Sequence, residues 1–132
     1  MTALTWTDDF KVGVAFMDDD HLEAVNLINE MAEATGDSLI ALMTQFLDHC
    51  TEHFGREEEM MRTIGFFAYP MHKGEHERVL AELRVVLSRL QAGEEADLKS
   101  YFSEGLANWL IDHRNTMDMV TATFSLQFDA AQ

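Results

Sequence analysis

Two segments, His53-Phe54-Gly55-Arg56-Glu57 and His72-Lys73-Gly74-Glu75-His76, decide how this sequence is read. Residues four apart on an α-helix stand nearly one above the other on one face. His53 and Glu57 therefore converge on one point from one helix, and His72 and His76 converge from a second. Three imidazoles and a carboxylate facing a common interior make a metal-ligand set. Without thiolates, the set suits iron, zinc, manganese or copper rather than an iron–sulfur cluster. A single HxxxE or HxxxH pair is a common accident of polar helix faces. Two pairs flanking one turn, each prolonging an apolar stripe, argue for a site.

The helix carrying the first pair is expected over about 38–64. Leu39, Leu42, Met43, Phe46, Cys50, His53, Glu57, Met60, Met61 and Ile64 fall on one side of it. His53 and Glu57 thus sit inside the buried stripe, where a charged pair costs several kcal/mol unless something compensates it. A dication does so. Glu58 and Glu59 lie beside the stripe and are expected to meet water. Gly65 ends this helix, and Pro70 stands near the start of the next, expected over about 70–91. There His72 and His76 continue the row Val79, Leu80, Leu83, Val86, Leu87 and Leu90.

Upstream, Asp18-Asp19-Asp20 offers an N-cap and first-turn acids for a helix over about 19–35, with His21, Ala24, Val25, Ile28 and Met31 recurring at three and four. Gly36 is its expected stop. Downstream, a helix starting near 95–97 carries Leu98, Tyr101, Phe102, Leu106, Trp109, Leu110 and His113 on one stripe. These patterns predict an all-α, antiparallel up-down-up-down four-helix bundle. The expected single domain, 1–132, divides into an extended N-terminal arm over 1–17, the bundle over 18–118 and a mixed tail over 119–132. Aromatic residues Trp6, Phe10 and Phe16 pack the arm against the bundle.

Each helix contributes at least one inward histidine: His21, then His53, then His72 and His76, then His113. Five imidazoles and a carboxylate exceed the four ligands of a zinc site and suit a dinuclear one. Net charge is −15, from 9 basic and 24 acidic residues. That argues against nucleic acid and anionic membranes as partners. No apolar run reaches the ~18 residues of a membrane span, and the N-terminus has no secretory pattern. The single cysteine, Cys50, excludes an internal disulfide and fits a reducing, cytoplasmic compartment.

The chain resembles the bacterial hemerythrins over nearly its whole length. The resemblance rests on Trp6, Val12-Gly13-Val14, Asp18-x-x-His21, His53-Phe54-x-x-Glu57-Glu58, His72-x-x-x-His76 and Trp109-Leu110-x-x-His113 followed by Asp118. It implies two iron ions per chain (Fe2+/Fe3+) joined by an oxo or hydroxo bridge. His72, His76 and His113 would hold one, His21 and His53 the other, and Glu57 and Asp118 would bridge them. The implied activity is reversible binding of O2, for transport, storage or sensing, at the open position of one iron. O2, another small diatomic or an anion is then the ligand, and a redox protein or an oxygen-consuming protein the partner. The alternative is a di-iron enzyme reducing peroxide or nitric oxide. Leu110, Trp109, Phe54 and Met61 are the expected walls of an O2 pocket.

Asp118 would not be chosen from spacing. Five residues after His113, it stands about 140° round an ideal helix. On spacing alone it ranks below Glu57, and below Asp112 as a neighbour of His113. For both to face one metal pair, the helix must be overwound, bulged or ending there. The sequence departs from the family in Arg114, where an aliphatic residue is usual, in Thr121 and in His49, where a Tyr is common. His49 is expected as a hydrogen-bonded core or rim residue, ahead of the alternative of a proton donor behind the ligands. An inward Arg114 would make the pocket polar.

Overall fold

In the computed structural model, which describes residues 3–131, the chain forms a four-helix bundle. Residues 1, 2 and 132, the outer ends of the expected arm and tail, lie outside the described residues. Helices α1 (Ala15–Glu33), α2 (Gly36–Ile64) and α3 (Tyr69–Gln91) are joined by short turns, so consecutive helices run antiparallel. The fourth is composite: a π-turn (Tyr101–Gly105), α4 (Leu106–His113), a second π-turn (Arg114–Asp118) and α5 (Met119–Ala130) run on without a break. Among the described residues no helix is long and apolar enough to cross a membrane.

Three boundaries differ from expectation. First, α1 begins at Ala15, so the arm is shorter than 1–17. Asp18 does not cap the helix from in front. It sits in the first turn and folds back, accepting from Val12 N at 2.7 Å and Gly13 N at 3.2 Å. Gly13, at φ 90, turns the arm into the helix it is tied to. Second, Gly36 opens α2 rather than closing α1, its N–H bonded to Glu95 Oε1 at 2.7 Å. Third, the stretch after Asp118 is helical. Its inward row is Thr121, Ala122 and Ser125, small residues that periodicity in large apolar side chains does not reveal; Leu126 faces solvent.

The interior has two unlike halves. One is a continuous apolar core of Ile28, Met31, Met43, Phe46, Leu83, Leu90, Phe102 and Leu106 with their neighbours. Burial of such side chains is what stabilises a bundle of this size. The other half holds the buried polar side chains His21, His53, Glu57, His72, His76, His113 and Asp118. A small second cluster, Val12, Met17 and Ala122, closes that end.

The arm is fastened at two places. Leu4 exchanges two hydrogen bonds with the Asn29 side chain, at 2.9 and 2.7 Å. Arg114 reaches outward and donates to the carbonyls of Asp9, Phe10 and Lys11 at 2.6 to 2.9 Å. It therefore does not enter the pocket. It holds Phe10, whose ring meets His21 edge-on with centroids 6.1 Å apart. Arg114→Ala should lower stability by about 1–2 kcal/mol, the partly exposed equivalent of losing charged hydrogen bonds. Denaturant midpoints and amide exchange across residues 9–13 measure it; an unchanged midpoint would mean the Leu4–Asn29 bonds and the aromatic contacts hold the arm without Arg114.

Candidate metal centre

The polar half is built by four helical faces. His53 and Glu57 come from α2, His72 and His76 from α3, His21 from α1, and His113 and Asp118 from the fourth helix. Glu57 and His76 are wholly buried, and none of the seven is more than 5 % exposed. Asp118 reaches the cluster through the π-turn over 114–118. An i→i+5 turn adds one residue to the helical repeat, so residues five apart come into register. His113 Nε2 lies 3.1 Å from Asp118 Oδ1 as a result.

The two carboxylates divide their oxygens. Glu57 Oε1 contacts His53 Nε2, while Oε2 lies 3.3 Å from His72 Nε2 and 3.5 Å from His76 Nε2. Asp118 Oδ1 faces His72 Nε2 at 3.2 Å and His113 Nε2, whereas Oδ2 faces His21 Nε2 at 2.9 Å. Both Glu57 oxygens, Asp118 Oδ1 and His76 Nε2 have no hydrogen-bond partner despite these distances. Atoms that crowd without bonding are aimed at a common point between them. Adjacent ligands on a metal with bonds of about 2.1 Å lie about 3 Å apart, which is the spacing seen. The donors fall into two groups, each gathered within 4.8 Å: Glu57, His72, His76 and His113, and His21, His53 and Glu57.

Three imidazoles are oriented from behind. His53 Nδ1 donates to Asp20 Oδ2 at 2.7 Å, and Arg56 holds that oxygen from the other side at 2.6 Å. His76 Nδ1 donates to Glu58 Oε2 at 3.0 Å. His72 Nδ1 donates to Thr121 Oγ1 at 2.8 Å, whose hydroxyl is itself committed to Met117 O at 2.9 Å. A proton fixed on each Nδ1 makes Nε2 the inward-facing ligand atom, as metal ligation requires. Phe54 stacks on His76 with centroids 3.9 Å apart, and Trp109 stacks on His113 at 4.8 Å. Glu75 accepts from Trp109 Nε1 at 3.1 Å.

Beside the cluster lies a cavity of about 20 Å3, with Phe46, Cys50, Phe54, Trp109 and Leu110 among its walls. His21, His53 and His113 also line it, and Asp20 and His49 form its outer side. That volume admits one water-sized particle.

The sequence matches the family described as Hemerythrin HHE cation binding domain over residues 12–123. The chain belongs to the hemerythrin family. It is 32% identical over 117 residues to the bacteriohemerythrin of Aquifex aeolicus (strain VF5), spanning 85% of this chain and 89% of that one. It is 28% identical to that of Ralstonia nicotianae over 96% of this chain and 92% of the relative. A crystal structure of a hemerythrin with one leucine replaced by alanine superposes with a TM-score of 0.85 at 25% identity, covering 94% of this chain and 98% of that one.

Within this hemerythrin fold, His21, His53, Glu57, His72, His76, His113 and Asp118 come together at one place, and Leu110, Trp109 and Phe54 reach the cavity. Met61 does not line it. Met61 stands one turn beyond Glu57 on α2, whereas the cavity lies on the Phe46–Phe54 side. Glu58 is not a solvated acid but a partner of His76. Asp20 was not legible as the partner of His53, since its contact crosses from one helix to another. The same holds for Ala24, Phe46 and Cys50 as cavity walls.

Without a cation, the cluster holds protons. Burial alone would lower His53, yet the Glu57 charge and the bond to Asp20 lift it to about 10. His113 is likewise raised, burial being outweighed by Asp118. Burial would raise Glu57, but His53 holds it at about 2. A group raised in this way keeps its proton through neutral pH, so a dication must displace it. Metal uptake should therefore release about one or more protons per chain near pH 7 and weaken as pH falls. An unbuffered titration with an indicator dye reads this directly; absence of released protons would mean the metal-free histidines are already neutral.

Proposed function

We propose that this chain binds two iron ions and uses them to bind O2 reversibly. In this reading His72, His76 and His113 would hold one iron and His21 and His53 the other, with Glu57 and Asp118 shared between them. The observation that carries the reading is the division of both carboxylates, each turning one oxygen to either histidine group. Two ferrous ions, when bound, supply an open coordination position and the two electrons that O2 binding uses. Residues 1–132 act as one hemerythrin domain.

The protein's own part is to orient and to exclude water. Asp20, Glu58 and Thr121 fix three imidazoles. The group with two histidines has fewer protein donors, so an open position would belong there; the cavity touches His21 and His53 of that group, and His113 and Asp118 as well. Leu110, Phe54 and Trp109 keep that space dry, which reversible binding needs because proton sources drive irreversible loss. Arg114 and the arm close the same end, with Phe10 against His21. A second reading, a di-iron enzyme reducing peroxide or nitric oxide, is favoured by one observation: His49, a side chain with an N–H, stands in the cavity wall. Turnover with peroxide or nitric oxide, compared with reversible O2 uptake, separates the two.

Metal analysis should find two irons per chain, lost in His53→Ala/Glu57→Ala. One ion, or zinc retained after growth in iron-rich medium, would refute the di-iron reading. Leu110→Ala should keep both irons and speed the irreversible loss of O2 uptake. The control Leu83→Ala, in the apolar half, should cost ~2–5 kcal/mol of stability without that effect. Equal rates of loss in both variants and the parent would mean Leu110 does not guard the site.

A further inference from the structure

A third group of donors stands on the outer side of the cavity. Asp20 and Glu23, one turn apart on α1, and His49 on α2 bring donor atoms within 4.8 Å of one another. His49 is 9 % exposed, while the Glu23 side chain is 57 % exposed, so the group faces solvent on one side and the interior on the other.

His49 is placed unusually. Its Nε2 lies 3.1 Å from the Asp20 carbonyl oxygen, and its Nδ1 lies 3.3 Å from Glu23 Oε2. A neutral imidazole has one N–H. Whichever nitrogen carries it, the other turns a lone pair towards an oxygen. A cation shared between Nδ1 and the Glu23 carboxylate removes that opposition. One imidazole with two carboxylates is a donor set for a divalent transition ion.

The position links this group to the buried centre. The His49 ring is parallel to that of His53, with centroids 6.1 Å apart. The Asp20 carboxylate accepts from His53 Nδ1. Asp20 and His49 share a cavity with His21, His53 and His113. Ions bound for donors that are at most 5 % exposed must cross a wall of the bundle. This wall carries ligands on both of its sides, and the acidic surface, at −15 net, concentrates cations outside it. Arg56 already bonds Asp20 Oδ2 at 2.6 Å. That resident positive charge weakens the group as a trap and suits a site that takes up an ion and releases it.

We propose that Asp20, Glu23 and His49 form a weak, solvent-facing site for a divalent transition-metal ion of the Fe2+ class, through which the buried centre is loaded. The loading role rests on reading the buried cluster as a metal centre; the site itself does not.

The test uses the full chain. Metal-free protein is loaded anaerobically with limiting Fe2+, and ions retained after gel filtration are counted over time. Loaded protein is then titrated with Mn2+, with free ion followed by electron paramagnetic resonance. The parent should bind one extra, weakly held Mn2+. Glu23→Gln and His49→Gln should lose it, end with the same buried metal content as the parent, and load about tenfold more slowly. Asp112→Asn, an equal loss of charge on the exposed side of the fourth helix, should behave as the parent. Glu23 is exposed, so its variant folds even where a change at His49 disturbs packing. No extra Mn2+ in the parent, or its persistence in both variants, overturns the site. Loading at the parent's rate in both variants overturns the loading role. A parent that retains no buried metal would refute the metal-centre reading instead, and the Mn2+ count would still decide the outer site.

Discussion

Two carboxylates buried in one half of a small bundle set the terms for the rest of the chain. Glu57 and Asp118 are at most 1 % exposed and stand among five imidazoles. Removing such charges from water costs several kcal/mol each unless they are compensated. Their oxygens approach five Nε2 atoms without a satisfied hydrogen-bond network. An apolar filling would be cheaper for folding alone. The chain instead gives one part of its interior to a cluster that only added positive charge completes, and leaves the larger apolar part to hold the helices together.

That division explains several local features as consequences. The π-turn over 114–118 sacrifices regular helix pairing and returns Asp118 to the face of His113. Thr121 and Ala122 beyond it are wholly buried, and Thr121 also supports His72. Asp20, Glu58 and Glu75 sit near the boundary of the cluster, each held by a neighbouring side chain. Glu75 stays at about 2 chiefly through Arg78, with burial opposing. Stacked Phe54 and Trp109 then limit ring rotation from the inner side. Orientation from behind and stacking from the side give a preformed set of inward-facing Nε2 atoms.

The environment of the cavity follows from the same arrangement. Its inner walls are apolar side chains, three imidazoles and the Asp118 carboxylate, while His49 and Asp20 complete the lining. A space that small holds one particle and leaves no room for a chain of water. The arm adds to this by pinning Phe10 over His21 through Arg114. A residue that is unusual beside His113 thus acts outwardly, as a clasp, and leaves the pocket apolar at that point.

Much of this was legible in the sequence. The spacing of His53 with Glu57 and of His72 with His76, both inside apolar stripes, determined the bundle, the burial of the cluster and its metal-binding chemistry, because helical periodicity is a local property of the chain. Four helices and short turns followed from the same periodicity. Asp118 was not accessible that way: regular helix geometry points it away from His113, and only the π-turn in the folded chain reverses that. Nor were the partnerships of Asp20 with His53, Glu58 with His76 and Thr121 with His72, or the outward course of Arg114. Each depends on which side chain from another element arrives opposite. Distances across a helix interface are decided by packing, which residue spacing along one chain segment does not encode.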